Sequence, residues 1–144
     1  MRHPRRKIPI ALRRKIREQA HFRCGYCLCS EVLIGMSMEF EHLLPLASGG
    51  DSTEKNLWLS CRRCNEAKGR QLKAVDPEAS DIVALFNPRE QQWEDHFRWN
   101  NDGTEIIGIT SVGRATIFAL KLNNPVIVVT RRLWVSAGWW PPTE

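Results

Sequence analysis

The chain has 144 residues, 42% of them apolar and 26% charged, with a formal net charge of +5. That is the size and make-up of one globular domain, or of one small domain with an extension, and it excludes a disordered or collagen-like chain. No apolar run reaches the roughly eighteen residues of a membrane span, and residues 1–7 carry charge without the apolar stretch of a secretory signal, so a cytoplasmic, reducing setting without a membrane partner is expected.

The charge is unevenly spread. Residues 1–18 hold eight of the 21 basic residues (Arg2, Arg5, Arg6, Lys7, Arg13, Arg14, Lys15, Arg17) against Glu18 alone. A basic arm on a near-neutral body points to a polyanionic partner, without choosing among DNA, RNA and an acidic surface.

In chain order, Pro9 opens a helix over 10–20, with Leu12, Ile16 and Ala20 as its apolar stripe and the arginines outward. Cys24-Gly25-Tyr26-Cys27 follows as a knuckle. Residues 38–44 read as a strand, 48–52 (Ser-Gly-Gly-Asp-Ser) as a loop and 56–60 as a second strand. A second knuckle, Cys61-Arg62-Arg63-Cys64, opens a helix over 62–72, and 73–92, with Pro77 and Pro88, reads as a connector lying over the core. Residues 96–99 and 105–110 form a hairpin around Asn100-Asn101-Asp102-Gly103. Residues 111–122 read as a helix with Ile117, Ala119 and Leu120 inward. Asn124-Pro125 caps a last helix over 125–137, although Val126-Ile127-Val128-Val129 also suits a strand. The sequence shows no repeat and no low-complexity tract.

Four of the five cysteines make two Cys-x-x-Cys pairs, 24/27 and 61/64. In a reducing compartment such pairs supply four thiolates to one structural Zn²⁺, whose binding free energy, on the order of 10 kcal/mol, is largely folding free energy. Cys29 is left over as a free thiol or an alternative to Cys27.

Between the knuckles stand Glu41-His42, Pro45, Gly49-Gly50 and Asn56; Asn65 and Lys68 follow Cys61-x-x-Cys64. In order and spacing, residues 22–70 resemble the HNH endonuclease family, whose ββα-metal fold has this strand, loop, strand, helix order. The resemblance implies metal-dependent hydrolysis of DNA, by nicking or double-strand cutting, leaving 5′-phosphate and 3′-hydroxyl ends. His42 would be the general base, since neutral imidazole takes a proton from water near pH 7. Asn56 would fasten the loop and orient His42, while Glu41 and Asn65 would offer hard oxygen ligands to a catalytic Mg²⁺ or Mn²⁺. Two departures stand out: Glu41 where Asp is usual, and Asn65 in place of the third His.

Adjacent strand residues face opposite ways, so Glu41 and His42 share a face only if the strand ends or bulges there. Glu39 shares the face of Glu41 but reads as a solvated charge. Lys68, Arg62, Arg63 and Arg70, with Arg13, Arg14 and Arg17, are the candidate phosphate contacts. His96 and most of the tryptophans read as packing residues.

The expected whole is an α+β protein. Residues 1–21 form a basic arm and helix, 22–72 an HNH core stapled by a four-cysteine zinc site, and 73–144 a C-terminal hairpin and helices packed on it in one compact unit. Double-stranded DNA is the expected partner; monomer and homodimer stay open. Two other readings compete: a non-catalytic zinc-knuckle module that binds nucleic acid, and an RNA-directed nuclease of the same fold.

Overall fold

The computed structural model describes residues 8–142; Arg2, Arg5, Arg6 and Lys7, with His3, lie outside the described residues. Helix α1 (Ile10–Gln19) starts directly after Pro9, whose extended conformation (φ −57°, ψ 146°) ends the incoming chain. The expected stripe faces in: Ile16 and Ala20 are buried and Leu12 half-buried, while Arg13, Arg14 and Lys15 are exposed.

The first knuckle closes through Cys24 N–H to the Cys29 carbonyl (2.9 Å) and Leu28 N–H to the Cys24 carbonyl (3.0 Å). A one-turn helix, α2 (Glu31–Ile34), is capped by the Ser30 hydroxyl and stopped by left-handed Gly35. Strand β1 (Glu39–His42) then pairs antiparallel with β2 (Leu57–Ser60), Glu39 opposite Ser60 and His42 opposite Leu57. Helix α3 (Arg62–Lys68) follows at once, with Cys61 as its cap. The strand, loop, strand, helix order is therefore present. Helix α3 ends earlier than the expected residue 72, because Gly69 takes a positive φ (52°) and turns the chain.

The connector expected over 73–92 is in part regular structure. Strand β3 (Lys73–Val75) pairs antiparallel with β4 (Ile82–Ala84). Its turn is organised by Asp76, a buried carboxylate that accepts from the Glu78 amide (2.9 Å), the Ser111 hydroxyl (2.7 Å) and Arg114 Nη2 (2.8 Å). The expected hairpin appears as β5 (Phe97–Trp99) and β6 (Ile106–Gly108).

Helix α4 (Ser111–Leu120) is capped by the Thr110 hydroxyl. Leu120 is buried and Ile117 and Ala119 are half-buried, as the periodicity asks. The helix presses so closely on the hairpin that a Cβ on Gly113 would lie 2.1 Å from the His96 carbonyl oxygen. Helix α5 (Pro125–Ser136) resolves the helix-or-strand ambiguity. Asn124 Oδ1 accepts from the Ile127 amide (3.0 Å) and Pro125 sits in the first turn, so local capping outweighs the β-branched run. Among the described residues no single helix is long and apolar enough to cross a membrane.

The protein is α+β, with three separate two-stranded antiparallel sheets among the described residues. One core cluster joins the cysteines and Tyr26 to Leu59, Phe86, Phe97, Leu120, Ile127, Trp134 and Trp140. An aromatic chain runs through it, from Tyr26 to Phe86 (ring centroids 6.4 Å apart), on to Phe97 (5.2 Å), Trp93 (5.2 Å) and Trp99 (5.6 Å). It ends at Trp140 (5.1 Å) and Trp134 (5.1 Å). His96 packs edge-on to Phe86 and bonds the Thr110 hydroxyl at 2.7 Å, a packing residue as expected; Trp139 is exposed.

Candidate active site and metal centre

The Sγ atoms of Cys24, Cys27, Cys61 and Cys64 lie within 4.8 Å of one another, and all four residues are buried. Zinc–thiolate bonds of about 2.3 Å set in a tetrahedron place the sulfurs about 3.8 Å apart, and Cys27 and Cys61 are already 3.7 Å apart. The donor set fits one Zn²⁺. Backbone amides are aimed at it: Tyr26 N–H at Cys24 Sγ and Cys64 N–H at Cys61 Sγ, each 3.4 Å. Cys29 stands outside the quartet with its Sγ 3.3 Å from that of Cys27. Arg63, expected at a phosphate, is half-buried against this centre. Burial opposes its charge, yet the surrounding sulfurs of Cys27, Cys64, Cys61 and Cys29 hold its pKa above the ordinary value.

The β1–β2 hairpin separates two environments. Lys68 and Asn65 of α3 contact Glu41 and Glu39, so the 39/41 face looks at α3. On the other face the Arg17 guanidinium of α1 lies 5.0 Å from the centre of the Phe40 ring. The register is regular through His42, so alternation sends His42 to the α1 side and Glu41 to the α3 side. Strand β1 does not bulge to bring the two together.

On the α3 side one helical turn matches one strand repeat. Lys68 Nζ sits 2.9 Å from Glu41 Oε1, with side chains only 4% and 2% exposed. The pair is held by charge, since neither Glu41 oxygen nor Lys68 Nζ makes an aligned hydrogen bond. Burial pushes the Glu41 carboxyl above its usual range, against the pull of Lys68 and of the Tyr26 hydroxyl beside it. Asn65 Nδ2 donates to Glu39 Oε1 at 2.7 Å, both residues half-buried. The structure thus pairs Asn65 with Glu39 rather than with Glu41. It also places Lys68 inside, where its ammonium cannot meet a phosphate at the surface. The carboxylate expected to ligate a catalytic cation is matched by an internal ammonium, so Glu41 and Asn65 as arranged do not fit a shared Mg²⁺ or Mn²⁺ site.

On the other side, His42 ends β1 with its Nε2 2.9 Å from the Ser52 hydroxyl. Its partial burial lowers its pKa below the ordinary histidine value, partly opposed by the charge of Asp51. The ring is therefore neutral at pH 7, the form that accepts a proton. The 43–56 loop beneath it is fastened by Asn56. That amide donates to the carbonyls of Leu44 (2.9 Å) and Asp51 (2.8 Å), and its Oδ1 accepts from the Leu44 amide (2.8 Å). Gly50 is required there, because a Cβ would sit 1.8 Å from the Leu44 carbonyl oxygen.

Of the remaining basic candidates, Arg13, Arg14 and Arg70 are exposed, and Arg62 is exposed in a pair with Glu66 at 2.9 Å. Arg17 is half-buried, 3.3 Å from Glu31. Sequence reasoning missed Ser52, the Glu39–Asn65 contact and the place of Tyr26 beside Glu41. Only the alternation of Glu39 with Glu41 hinted at any of them.

A ββα unit flanked by two cysteine knuckles whose four buried thiols could hold a zinc ion, with a histidine ending its first strand, is a nuclease-like core. The comparison with known families agrees: residues 24–71 match the HNH endonuclease family. No curated protein and no solved structure matches the chain.

Proposed function

We propose that the protein is an endonuclease that hydrolyses phosphodiester bonds of DNA, with His42 as the general base. One observation carries the reading: within the HNH-matching segment, His42 ends β1, bonded to Ser52, over a loop that Asn56 fastens by three hydrogen bonds. A water molecule delivered to that imidazole loses its proton as it attacks phosphorus, and the 3′-oxygen leaves. The Ser52 hydroxyl, bonded to Nε2, fixes the ring's orientation. Exposed Arg13, Arg14 and Arg70 would grip the backbone irrespective of sequence, which makes cleavage strongly salt-dependent. The four cysteines would hold Zn²⁺ as a structural ion. HNH nucleases use divalent metals, but no step is routed here through a catalytic cation, because Lys68 already neutralises Glu41.

The test is a supercoiled-plasmid assay on zinc-loaded protein with Mg²⁺, Mn²⁺ or chelator added. Wild type nicks or linearises the plasmid and His42→Ala does not. Equal activity of the two proteins removes His42 from the chemistry. Binding without cleavage under every condition favours the non-catalytic binding module.

A further inference from the structure

The surface beside the HNH segment holds a pocket of about 400 Å³ lined by Ile10, Arg13, Arg14, Arg17 and Phe22. Three of its five residues are cationic and none is acidic. Its wall is made at a conformational cost: His21 and Phe22 both take positive φ (54° and 58°), a region that non-glycine residues rarely enter. The turn is tied from both sides, by Phe22 N–H to the Arg17 carbonyl (2.9 Å) and Glu31 N–H to the Phe22 carbonyl (3.3 Å). The result is that a phenyl ring stays 48% exposed beside arginines instead of joining the core a few residues away.

We infer that this pocket binds an unpaired nucleotide, with Phe22 stacking on the base and Arg13 and Arg14 contacting the flanking phosphates. The inference rests on the nucleic-acid reading above and deepens it. A π-face beside cations, in a concavity, suits a strand whose bases are free to stack; the bases of an intact duplex present only their edges. Charge complementarity argues against the chain's own residues 1–7 as occupant, since they carry Arg2, Arg5, Arg6 and Lys7 and no acid. The position suits a substrate path. Arg17, in the pocket wall, also covers Phe40, and Phe40 and His42 lie on the same face of β1. A strand leaving the pocket along that face runs toward His42. The preferred substrate is thus a nucleic acid with a single-stranded stretch next to the scissile bond.

The test is fluorescence anisotropy with zinc-loaded His42→Ala protein in chelator-free buffer without added Mg²⁺ or Mn²⁺, so that nothing is cut. The probes are a single-stranded DNA oligomer, its RNA counterpart, the DNA duplex, and an abasic single strand of the same charge. Phe22→Ala is expected to weaken binding of the single-stranded DNA, the RNA or both by about five- to a hundredfold, the range of one base–aromatic stack. The duplex and the abasic strand should be unaffected. Phe22→Trp should retain single-strand binding, which separates loss of stacking from loss of fold, and Arg13→Ala should weaken all four probes alike. The inference is overturned if Phe22→Ala changes single-strand affinity less than twofold, or weakens duplex and abasic strand equally. Phe22-dependent binding in a wild type that cleaves nothing retains the pocket and overturns the endonuclease reading; cleavage with Phe22 indifferent does the reverse.

Discussion

Replacing Lys68 by methionine removes the ammonium and keeps most of the side chain's volume. It leaves the Glu41 carboxylate, 2% exposed, without its counter-charge at 2.9 Å. Stranding one member of a buried ion pair costs about 3–5 kcal/mol, a large share of the roughly 5–15 kcal/mol that holds a domain of this size. The cost depends on pH in a direction the structure fixes. Burial already raises the Glu41 pKa, with Lys68 opposing that rise. A carboxyl raised in the folded state is free of penalty below its unfolded pKa, destabilises progressively as pH climbs from there to its folded value, and carries a constant penalty above it. Removing Lys68 raises that value further. Urea denaturation of zinc-loaded wild type and Lys68→Met should therefore give a stability gap that is smallest in acid, where the carboxyl is protonated folded and unfolded, and that widens as pH rises from acid toward neutral. Tyr26 on the first knuckle and Lys68 on α3 are the titratable neighbours that act on Glu41. Adding Glu41→Gln to Lys68→Met should recover most of the loss, because no charge is then buried. A gap of constant size across that range, or a double variant no more stable than Lys68→Met, refutes the reasoning.

The loop offers a cleaner separation of stability from chemistry. Asn56→Ala deletes three hydrogen bonds and should cost about 2–4 kcal/mol by denaturation, with nicking reduced more than duplex binding. Gly50→Ala, whose Cβ would meet the Leu44 carbonyl, should mimic it. Cys61→Ser should lower bound zinc, measured by metal analysis, and abolish cooperative unfolding, because binding worth on the order of 10 kcal/mol is lost. Arg114 foremost, with Ser111 assisting, holds Asp76 well below the usual carboxylate range. That stabilisation is complete above the unfolded pKa and disappears as pH falls through the folded one. Asp76→Asn should thus lower the melting temperature at pH 7 and matter progressively less toward strong acid, as calorimetry can show.

The ββα order and the cysteine quartet were readable because each rests on local rules. Cys-x-x-Cys spacing, glycine-rich loop chemistry and alternating strands are written within a few residues. The loop-fastening role of Asn56 came from the family resemblance, and its three hydrogen bonds across the 43–56 loop are the local form of that role. What stayed hidden depends on alignment across elements. Pairing Lys68 with Glu41 and Asn65 with Glu39 requires the phase of α3 relative to β1, which neither segment encodes alone. The β3–β4 hairpin has only three residues per strand and exposed Val75 and Ile82, too little periodicity to register; its turn is set by Arg114 from α4. Phe22 belongs to no motif in the sequence, and only its backbone conformation, with φ 58°, turns it to the surface.

The contacts that residues beyond 72 make with the HNH segment bear on its portability. Trp93 Nε1 donates to the Tyr26 carbonyl at 2.9 Å, and Arg89 donates to the Leu57 carbonyl (2.9 Å) and Gln19 (2.9 Å) while stacking over Trp58. Cut free after residue 72, the segment would keep its four sulfurs but present the Tyr26 and Leu57 carbonyls and an aromatic surface to water. Transplanted into another host, this cassette would need a surrogate for the tryptophan and the arginine before it could work as a self-sufficient part.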